Sequence, residues 1–215
     1  MDVAVHYGAS SADAEEVVSA LAAKGIGAKA FGADLTDVDA AIRLIPRVID
    51  AFGRLDVLVN SAAVMERITV ADTTPAQWDA IVNLNLRAPF FLAQQAAPHL
   101  RATRGCIVNI ADLGGLEPWA NYAVHSVSKA GVVMLTKALA VALAPDIRVN
   151  AIAPGTVLVP EDYDDARRDF LSETTPMKRL GAPEDAVKAL IFLVEQADFI
   201  TGETIVVDGG RLLRR

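Results

Sequence analysis

Six short runs of β-branched and apolar residues, separated by longer stretches with helical periodicity, most strongly limit how this chain can fold. The runs occupy 3–7, 28–34, 55–62, 106–112, 147–154 and 203–209. Strands that are apolar throughout and that alternate with helices form parallel sheets covered on both faces. The sequence therefore predicts an α/β fold with a doubly wound parallel sheet, in a single domain spanning residues 1–215.

The stretches between these runs predict helices. In the first stretch, SSADAEEVVSALAAKG, helical spacing places four apolar residues on one face: Val17, Val18, Leu21 and Ala22. The longest stretch, TPAQWDAIVNLNLRAPFFLAQQAAPHL, predicts one helix with Pro75 in its first turn, where a missing backbone N–H is tolerated.

One long stretch, 156–185, shows no regular period and follows the carboxyl end of a predicted strand. Ligands bind at such ends in doubly wound folds, and long irregular loops are often functional, so this stretch is predicted to be a substrate lid. Four large side chains could then contact a flat or apolar substrate, namely Trp119, Leu158, Tyr163 and Phe170. Packing within the core or the lid would explain the presence of these side chains equally well.

Composition narrows the possible partners and the compartment. The formal net charge is −7 and no basic run occurs, which argues against nucleic acid and anionic membranes as partners. Cys106 is the single cysteine, so no disulfide can form within the chain, and a buried thiol in a cytoplasmic protein is expected. No apolar run reaches the ~20 residues that span a bilayer, and no signal peptide or metal-binding pattern is expected.

A series of motifs then carries a family resemblance over nearly the whole chain. In order they are AD at 33–34, LVNSAA at 58–63, NLNL at 83–86, IVNIAD at 107–112, SKAG at 128–131, RVNAIAPGTV at 148–157 and TGETIVVDGG at 201–210. The chain resembles the short-chain dehydrogenases/reductases. Within that family it is most similar to pteridine reductases, because of the HY and serine-containing turn at 6–11, Asp112 in place of the usual serine, and Tyr122.

The resemblance implies reversible hydride transfer between a nicotinamide cofactor and a small molecule that carries a carbonyl or an imine. Family members use a tyrosine as the acid and a lysine one helical turn later. Lys129 matches that lysine, and His125 takes the place of the tyrosine, thirteen residues after Asp112, which matches the substrate-orienting residue. Asn85 matches the residue that holds a water chain to the lysine, and Tyr122 could reach in from one turn earlier.

His125 leaves two interpretations open. An imidazolium is a stronger acid than a phenol, so His125 could supply the proton, or Asp112 with Lys129 could suffice for an already polarised imine. The imidazole is also shorter by roughly 2 Å, and a misplacement of ~1 Å can cost on the order of 10²-fold in rate. The alternative is therefore an impaired or non-catalytic protein that acts as an oligomerising or binding module.

The resemblance also implies a cofactor site. The adenosine side would involve Asp34 and Leu35, then Asn60, Ser61 and Ala62, and the nicotinamide clamp would be Pro154, Gly155, Thr156 and Val157. No acidic residue stands near Tyr7 to bind the ribose hydroxyls of NAD(H), whereas His6 and Ser10 could meet a 2′-phosphate. NADP(H) is therefore expected in preference to NAD(H).

The N-terminal sequence of the chain differs from the pattern of the family. Family members begin with a strand and a Gly-rich turn, whereas VAVHY resembles the family's second strand and Gly8 is the only glycine before Gly25. Without a central strand, the runs at 3–7 and 55–62 would each expose an unpaired edge. Three explanations are open: a start codon assigned downstream of the real one, a truncated gene, or a shorter fold in which VAVHY pairs with the run at 55–62.

The family also implies an oligomer. The long helices predicted at 75–100 and 125–143 correspond to the surfaces through which family members pair. A homodimer or homotetramer built through these two helices is therefore expected.

Overall fold

The computed structural model of the protein describes residues 1–159 and 163–213, and six strands and seven α-helices lie in them. The strands are β1 (Val3–Tyr7), β2 (Ala28–Gly32), β3 (Val57–Asn60), β4 (Cys106–Ile110), β5 (Arg148–Pro154) and β6 (Thr204–Val207). The helices are α1 (Ser11–Ala22), α2 (Val38–Phe52), α3 (Pro75–Val82), α4 (Ala88–Thr103), α5 (Ala123–Leu143), α6 (Asp165–Thr174) and α7 (Pro183–Glu195).

All strand pairs are parallel, and they form two sheets. β1 pairs with β2, from Val3 opposite Ala28 to Tyr7 opposite Gly32. The other sheet has the order β3-β4-β5-β6. The predicted α/β Rossmann-like fold with parallel sheets in a single domain is thus confirmed. The alternative in which the first run pairs with the run at 55–62 is wrong, since β1 and β3 belong to different sheets.

The edges of β1 and β3 that face away from their partners border an apolar cavity of about 650 Å³. Residues of β1, β2, β3, α2 and α4 line it. We call this space the interstrand cleft. β3 is only partly buried beside it, whereas β4 and β5 are almost entirely buried.

Local sequence explains where the helices around the cleft begin and end. Asp37 accepts a hydrogen bond from the Asp39 N–H at the start of α2, and Gly53, with φ 75°, ends that helix in the left-handed region that glycine favours. Thr74 and Gln77 form a reciprocal capping box before α3, with Pro75 at its first position.

Two predictions about helices need correction. The stretch predicted as one long helix is interrupted by a π-helical turn, Asn83–Arg87, between α3 and α4. Val17, predicted to lie on the apolar face of the first helix, is 47% exposed, and Ala14 is the residue of α1 that is buried. The first stretch contains alanines at many positions, so its apolar face could not be located by hydrophobicity alone.

The stretch 156–185 is also more regular than expected, because α6 lies within it. Asp164 caps this helix by accepting from the Arg167 N–H. Phe170 is 60% exposed and Leu158 is 77% exposed, so neither packs into the core. Residues 160–162 of the predicted lid lie outside the described residues.

The two faces of the sheets carry separate apolar clusters. One joins α2 and α4 to β2, β4 and β5, through residues such as Leu44, Leu100 and Ile107. A second packs α7 against β4, β5 and β6 around Val108, Ile152 and Leu193. A third joins α5 to β5 through residues such as Val132 and Ala151.

α5 is, among the described helices, the one long and apolar enough to cross a membrane. Length and composition alone are weak support for a span, and the core helix of a folded domain meets the same criteria. Residues of α5 such as Val132 and Leu139 are buried against the rest of the chain.

Candidate active site

Asp112 lies just beyond the carboxyl end of β4, where the sheet opens toward the loops. Its carboxylate caps a 3-10 turn, Leu113–Gly115, by accepting from the Gly114 N–H through Oδ1. The side chain keeps 23% of its surface exposed. Its second oxygen, Oδ2, lies 3.3 Å from Nε2 of His125 on α5. The thirteen-residue spacing thus does bring these two side chains together.

His125 is almost completely buried, with 2% of its side chain exposed. Its Nδ1 lies 3.2 Å from the Val64 carbonyl oxygen. A carbonyl oxygen can only accept, so this bond requires the proton on Nδ1. Nε2 makes no well-aligned hydrogen bond with any described residue, and Asp112 Oδ2 is its charged neighbour. The imidazole is therefore oriented by Val64 with its second nitrogen toward a carboxylate.

Asn85 holds the loop that orients His125. It lies in the π-helical turn and is 2% exposed. Its Oδ1 accepts from the Val64 N–H at 2.8 Å, and its Nδ2 donates to the Val64 oxygen at 2.9 Å and to Ser128 Oγ at 3.0 Å. Ser128 in turn donates to the His125 carbonyl oxygen at 2.7 Å. The Asn85 amide thus bonds other segments of the chain and not its own helix.

Lys129 follows His125 by one turn and is 4% exposed. Its Nζ donates to the Ile110 carbonyl oxygen at 2.8 Å. Burial lowers the pKa of Lys129 below its ordinary value of 10.5, and the nearby Asp112 carboxylate partly opposes that shift by favouring the ammonium form. An ammonium has three N–H donors, so two remain beyond the bond to Ile110.

Gly115 sets how closely the turn after β4 approaches α5. A Cβ at this position would come within 2.6 Å of the Lys129 carbonyl carbon and 2.7 Å of its oxygen. Since backbone atoms cannot move aside as a flexible side chain can, only glycine fits here. This contact places Asp112 beside the segment of α5 that carries His125 and Lys129.

Tyr122 lies at the N-terminal end of α5, as expected for the helix entrance, and is its N-cap residue. Its ring meets Trp119 edge-on, with the centroids 5.9 Å apart. Trp119 also stacks on His125, at 6.3 Å and 15° between planes. An indole therefore packs between the tyrosine and the histidine, and Tyr122 belongs to the aromatic wall of the site.

The predicted nicotinamide clamp lies at the carboxyl end of β5, on the same edge as Asp112. Pro154 ends that strand opposite Val207, and the Gly155 N–H donates to the Val207 carbonyl oxygen at 2.9 Å. A Cβ on Gly155 would come within 2.9 Å of the Asp208 backbone. Thr156 Oγ1 accepts from Arg211 at 3.1 Å, and Val157 follows it in the turn.

The predicted adenosine side lies at the carboxyl ends of β1, β2 and β3. His6 Nε2 bonds the Ala33 carbonyl oxygen at 2.9 Å, and Ser10 precedes α1 without a side-chain capping bond. The Asp34 carboxylate accepts from the Thr36 N–H and hydroxyl, and these bonds lower its pKa. Leu35 is buried in the core and is 5% exposed.

Asn60, Ser61 and Ala62 line the interstrand cleft. Asn60 is buried, and its Nδ2 donates to Asn109 Oδ1 at 2.8 Å. Its Oδ1 is buried with no hydrogen-bond partner among the described residues. A group that approaches through the cleft could supply the missing donor.

Some functional groups were missed by sequence reasoning. The Val64 backbone orients both Asn85 and His125, yet a backbone carbonyl carries no signal in the sequence. Ser128 was noted only as part of the SKAG motif, although its hydroxyl links Asn85 to α5. In the described residues no three histidine, cysteine, aspartate or glutamate side chains gather as a metal site would require.

The parallel α/β sheet carries an acid, an imidazole and a buried lysine at its carboxyl edge, which is where doubly wound folds bind their ligands. A profile of the family described as Enoyl-(Acyl carrier protein) reductase matches residues 1–211. The chain belongs to the short-chain dehydrogenase/reductase family and is an oxidoreductase of that type.

Individual relatives agree with this assignment. A 3-oxoacyl-[acyl-carrier-protein] reductase, FabG, of Staphylococcus aureus is 37% identical over 97% of this chain and 87% of its own length. FabG of Thermotoga maritima is 33% identical over 84% of this chain and 75% of its own. The crystal structure of acetoin dehydrogenase YohF from Salmonella typhimurium superimposes with a TM-score of 0.91 at 29% identity, covering 100% of this chain and 87% of that one.

Proposed function

We propose that the protein is an NADP(H)-dependent reductase of small-molecule ketones, in which Asp112 and His125 supply the proton. The observation that carries this proposal is the contact between Asp112 Oδ2 and His125 Nε2, beside the buried Lys129. The similarity to 3-oxoacyl reductases and an acetoin dehydrogenase supports a carbonyl compound as the substrate. The cytoplasm is the proposed compartment.

The proton balance of the pair follows from its hydrogen bonds. With Nδ1–H committed to Val64, a neutral His125 would point a lone pair at the Asp112 carboxylate. One additional proton held between Nε2 and Oδ2 removes that repulsion. We therefore propose that the pair holds one proton that it can transfer to the substrate oxygen.

Asp112 is the member of the pair that would meet the substrate. It retains 23% side-chain exposure, whereas His125 retains 2% and is covered by Trp119. Asp112 would donate to the carbonyl oxygen as negative charge develops there, and His125 would pass its proton to Asp112. His125 is then a positioning residue and proton store, and not a direct substitute for a phenol.

The residues at this edge fit a dinucleotide in its nicotinamide half. Lys129 has N–H donors left for ribose hydroxyls, and Gly155 leaves the backbone of the clamp at Pro154–Val157 open to close approach. A reduced nicotinamide, when bound, supplies the hydride that the carbonyl carbon accepts. His6 and Ser10 would receive a 2′-phosphate, and Asp34, Leu35 and Asn60–Ala62 would border the adenosine.

A cyclic imine such as a reduced pteridine is the second substrate class. Asp112 in place of the usual family serine favours it, because a carboxyl group can protonate a ring nitrogen directly. Trp119 and Tyr122 would supply a flat wall for such a ring. The competing function is a non-catalytic module that associates through α4 and α5.

The test measures cofactor binding and turnover on the purified protein. NADPH should raise its melting temperature and quench its tryptophan fluorescence at lower concentration than NADH does. It should then reduce a 3-oxoacyl thioester, an α-hydroxyketone or a dihydropteridine. Absence of any thermal shift with either cofactor at millimolar concentration would show that the protein is a non-catalytic module.

A further inference from the structure

The Asp112 carboxylate is fixed in orientation and yet open to a small molecule. Its Oδ1 accepts from the Gly114 N–H, and its Oδ2 lies 3.3 Å from Nε2 of His125. An ionised carboxylate has about four lone-pair sites, so these two neighbours leave some of them free. Because 23% of the side chain is exposed, a substrate can reach the free sites. Asp112 is therefore placed to act as a base as well as an acid.

His125 gives this base a place to store a proton. The Nδ1–H of His125 bonds the Val64 carbonyl oxygen at 3.2 Å, so Nε2 presents a lone pair toward Asp112. A proton taken up by Asp112 lies between two acceptor atoms and removes the repulsion between them. The imidazole is 2% exposed and Nε2 is buried, so water does not compete for that proton at Nε2.

Lys129 adds positive charge beside this base. Its Nζ donates to the carbonyl oxygen of Ile110, the last residue of β4, and two N–H donors of the ammonium remain. Burial lowers the pKa of Lys129 and the charge of Asp112 opposes that shift, so the two side chains lie close together. A preorganised ammonium that is 4% exposed stabilises a developing oxyanion better than one in water does.

Trp119 gives the same corner of the site a flat wall. A Cβ on Gly114 would lie 3.4 Å from two carbons of the indole, so Trp119 packs directly on the turn that Asp112 caps. The indole also stacks on His125, and the Tyr122 ring meets it edge-on. A ketone that loses a proton from the neighbouring carbon becomes planar, so a flat wall suits the deprotonated form.

We propose that this site has a second activity, the enolisation of α-hydroxyketones, which transfers protons only. Asp112 removes the proton of the carbinol carbon, the C–H electron pair becomes a C=C bond, and the carbonyl oxygen takes the negative charge beside Lys129. The product is an enediolate. Return of a proton from Asp112 to carbon restores the hydroxyketone, so the enzyme is unchanged and no other reactant is consumed.

The chemistry of the site favours an α-hydroxyketone over a simple ketone. Its two neighbouring oxygens match the two N–H donors that Lys129 has left. A carboxylate is required for the proton removal, because a serine hydroxyl in the position of Asp112 is not a base at neutral pH. The activity rests on the proposed function only for the Asp112–His125 pair, and it needs neither hydride nor nicotinamide.

Deuterium exchange of acetoin tests the proposal. The purified protein is incubated in heavy water with acetoin and no nicotinamide, and proton NMR follows the signal of the carbinol C–H. That signal should decay on the order of 10²-fold faster than in buffer, which is the lower range of general base catalysis. Deuterium at this carbon must come from solvent, whereas a hydride that passes to a nicotinamide and back leaves the signal in place. Decay at the buffer rate would overturn the proposal.

Variants test whether the exchange depends on the residues named. Asp112→Ser keeps an oxygen for the Gly114 N–H but has no base, so exchange should fall to the buffer rate. His125→Phe and Lys129→Met should each slow exchange by about tenfold or more, since each removes one partner of the proton transfer. Asp72→Asn, in an exposed turn, is the control and should exchange acetoin as the parent does.

Melting temperatures show which variants are folded, and Asp112→Asn provides a second reading because its amide oxygen also keeps the cap. Full exchange in either Asp112 variant would overturn the proposal. Reduction of acetoin by NADPH is measured on the same preparation. Exchange without reduction would uphold the enolisation and remove the reductase, and reduction without exchange would do the reverse. The two proposals can therefore fail separately.

Discussion

At the scale of single residues, the pairing of Asp112 with His125 determines what the site can do. Asp112→Asn keeps the shape and the capping oxygen but removes the carboxylate that receives and passes on the proton. Turnover of the preferred ketone should fall by ~10²- to 10⁴-fold, which is the usual contribution of general acid catalysis, with little change in NADPH affinity. Steady-state kinetics and fluorescence titration measure the two effects.

The control for this variant is Asp72→Asn, which alters a carboxylate that caps an exposed turn through Thr69. Its turnover should stay within twofold of the parent. A loss of NADPH binding in Asp112→Asn, with turnover at saturation retained, would mean that Asp112 holds the cofactor and donates no proton.

His125→Phe separates a proton store from a merely structural ring. The phenyl group preserves stacking on Trp119 but has no nitrogen to bond Val64 or Asp112. Turnover should fall by at least tenfold with little change in KM, because Asp112 then has no imidazole beside it to return a proton. His99→Phe, on α4, is the control. An unchanged turnover in His125→Phe would assign His125 a structural role only.

Lys129 gives a pH dependence of stability whose sign is fixed by its lowered pKa. The unfolded chain holds this proton up to about its ordinary pKa of 10.5, whereas the folded chain releases it at lower pH. Stability contributed by this group therefore rises with pH across that window, by about 1.4 kcal/mol for each pKa unit of the shift. Urea unfolding at pH 8 and pH 10 should show this rise in the parent protein and not in Lys129→Met.

The comparison of Lys129→Met with the parent removes the contribution of all other titrating groups. Lys137→Met, on the exposed side of the same helix, should keep the parent's pH dependence. If Lys129→Met and the parent change in parallel between the two pH values, the folded site does not lower the pKa of the lysine.

At the scale of elements, one glycine holds the turn after β4 against α5. Gly115→Ala would drive a Cβ into the Lys129 backbone carbonyl, and overpacking of this kind costs about 1–3 kcal/mol. The melting temperature should drop by several degrees. Gly8→Ala is the matched control, because no atom lies within 4 Å of the added Cβ. Equal melting temperatures for the two variants would show that the turn can move away from α5.

Elements that depend on local pattern were predictable, and those that depend on distant contacts were not. The run at 3–7 coincides with β1, since β-branched residues bounded by a turn mark a strand directly. The π-helical turn at Asn83–Arg87 escaped prediction because NLNL fits a regular helix equally well. Asn85 acquires its role from the Val64 backbone, 21 residues away, which no periodicity reveals.

At the scale of the whole molecule, the resemblance predicted an unpaired edge at each of the runs 3–7 and 55–62, and in the described residues β1 and β3 lie in different sheets, each paired on one side. The sequence could not show which contacts hold the two sheets together. The core cluster that joins α2 to α4 and β4 holds them, because it contains residues of both sheets. The interstrand cleft is therefore a preformed gap in a packed domain.

The outer surface of α5 leads to a last prediction about assembly. Val127, Met134 and Val141 are spaced seven residues apart, so they lie along one side of the helix, and they are 52%, 62% and 82% exposed. An exposed apolar stripe of this kind marks an interaction surface, and we propose that two copies of the chain pair through α4 and α5.

Met134→Lys combined with Val141→Lys should convert the proposed dimer or tetramer into smaller species, because two-fold symmetry brings the added charges together. Light scattering after size-exclusion chromatography measures the mass, with Val17→Lys on α1, 47% exposed, as the control. A stripe variant that keeps the parent's mass would place the interface elsewhere on the molecule.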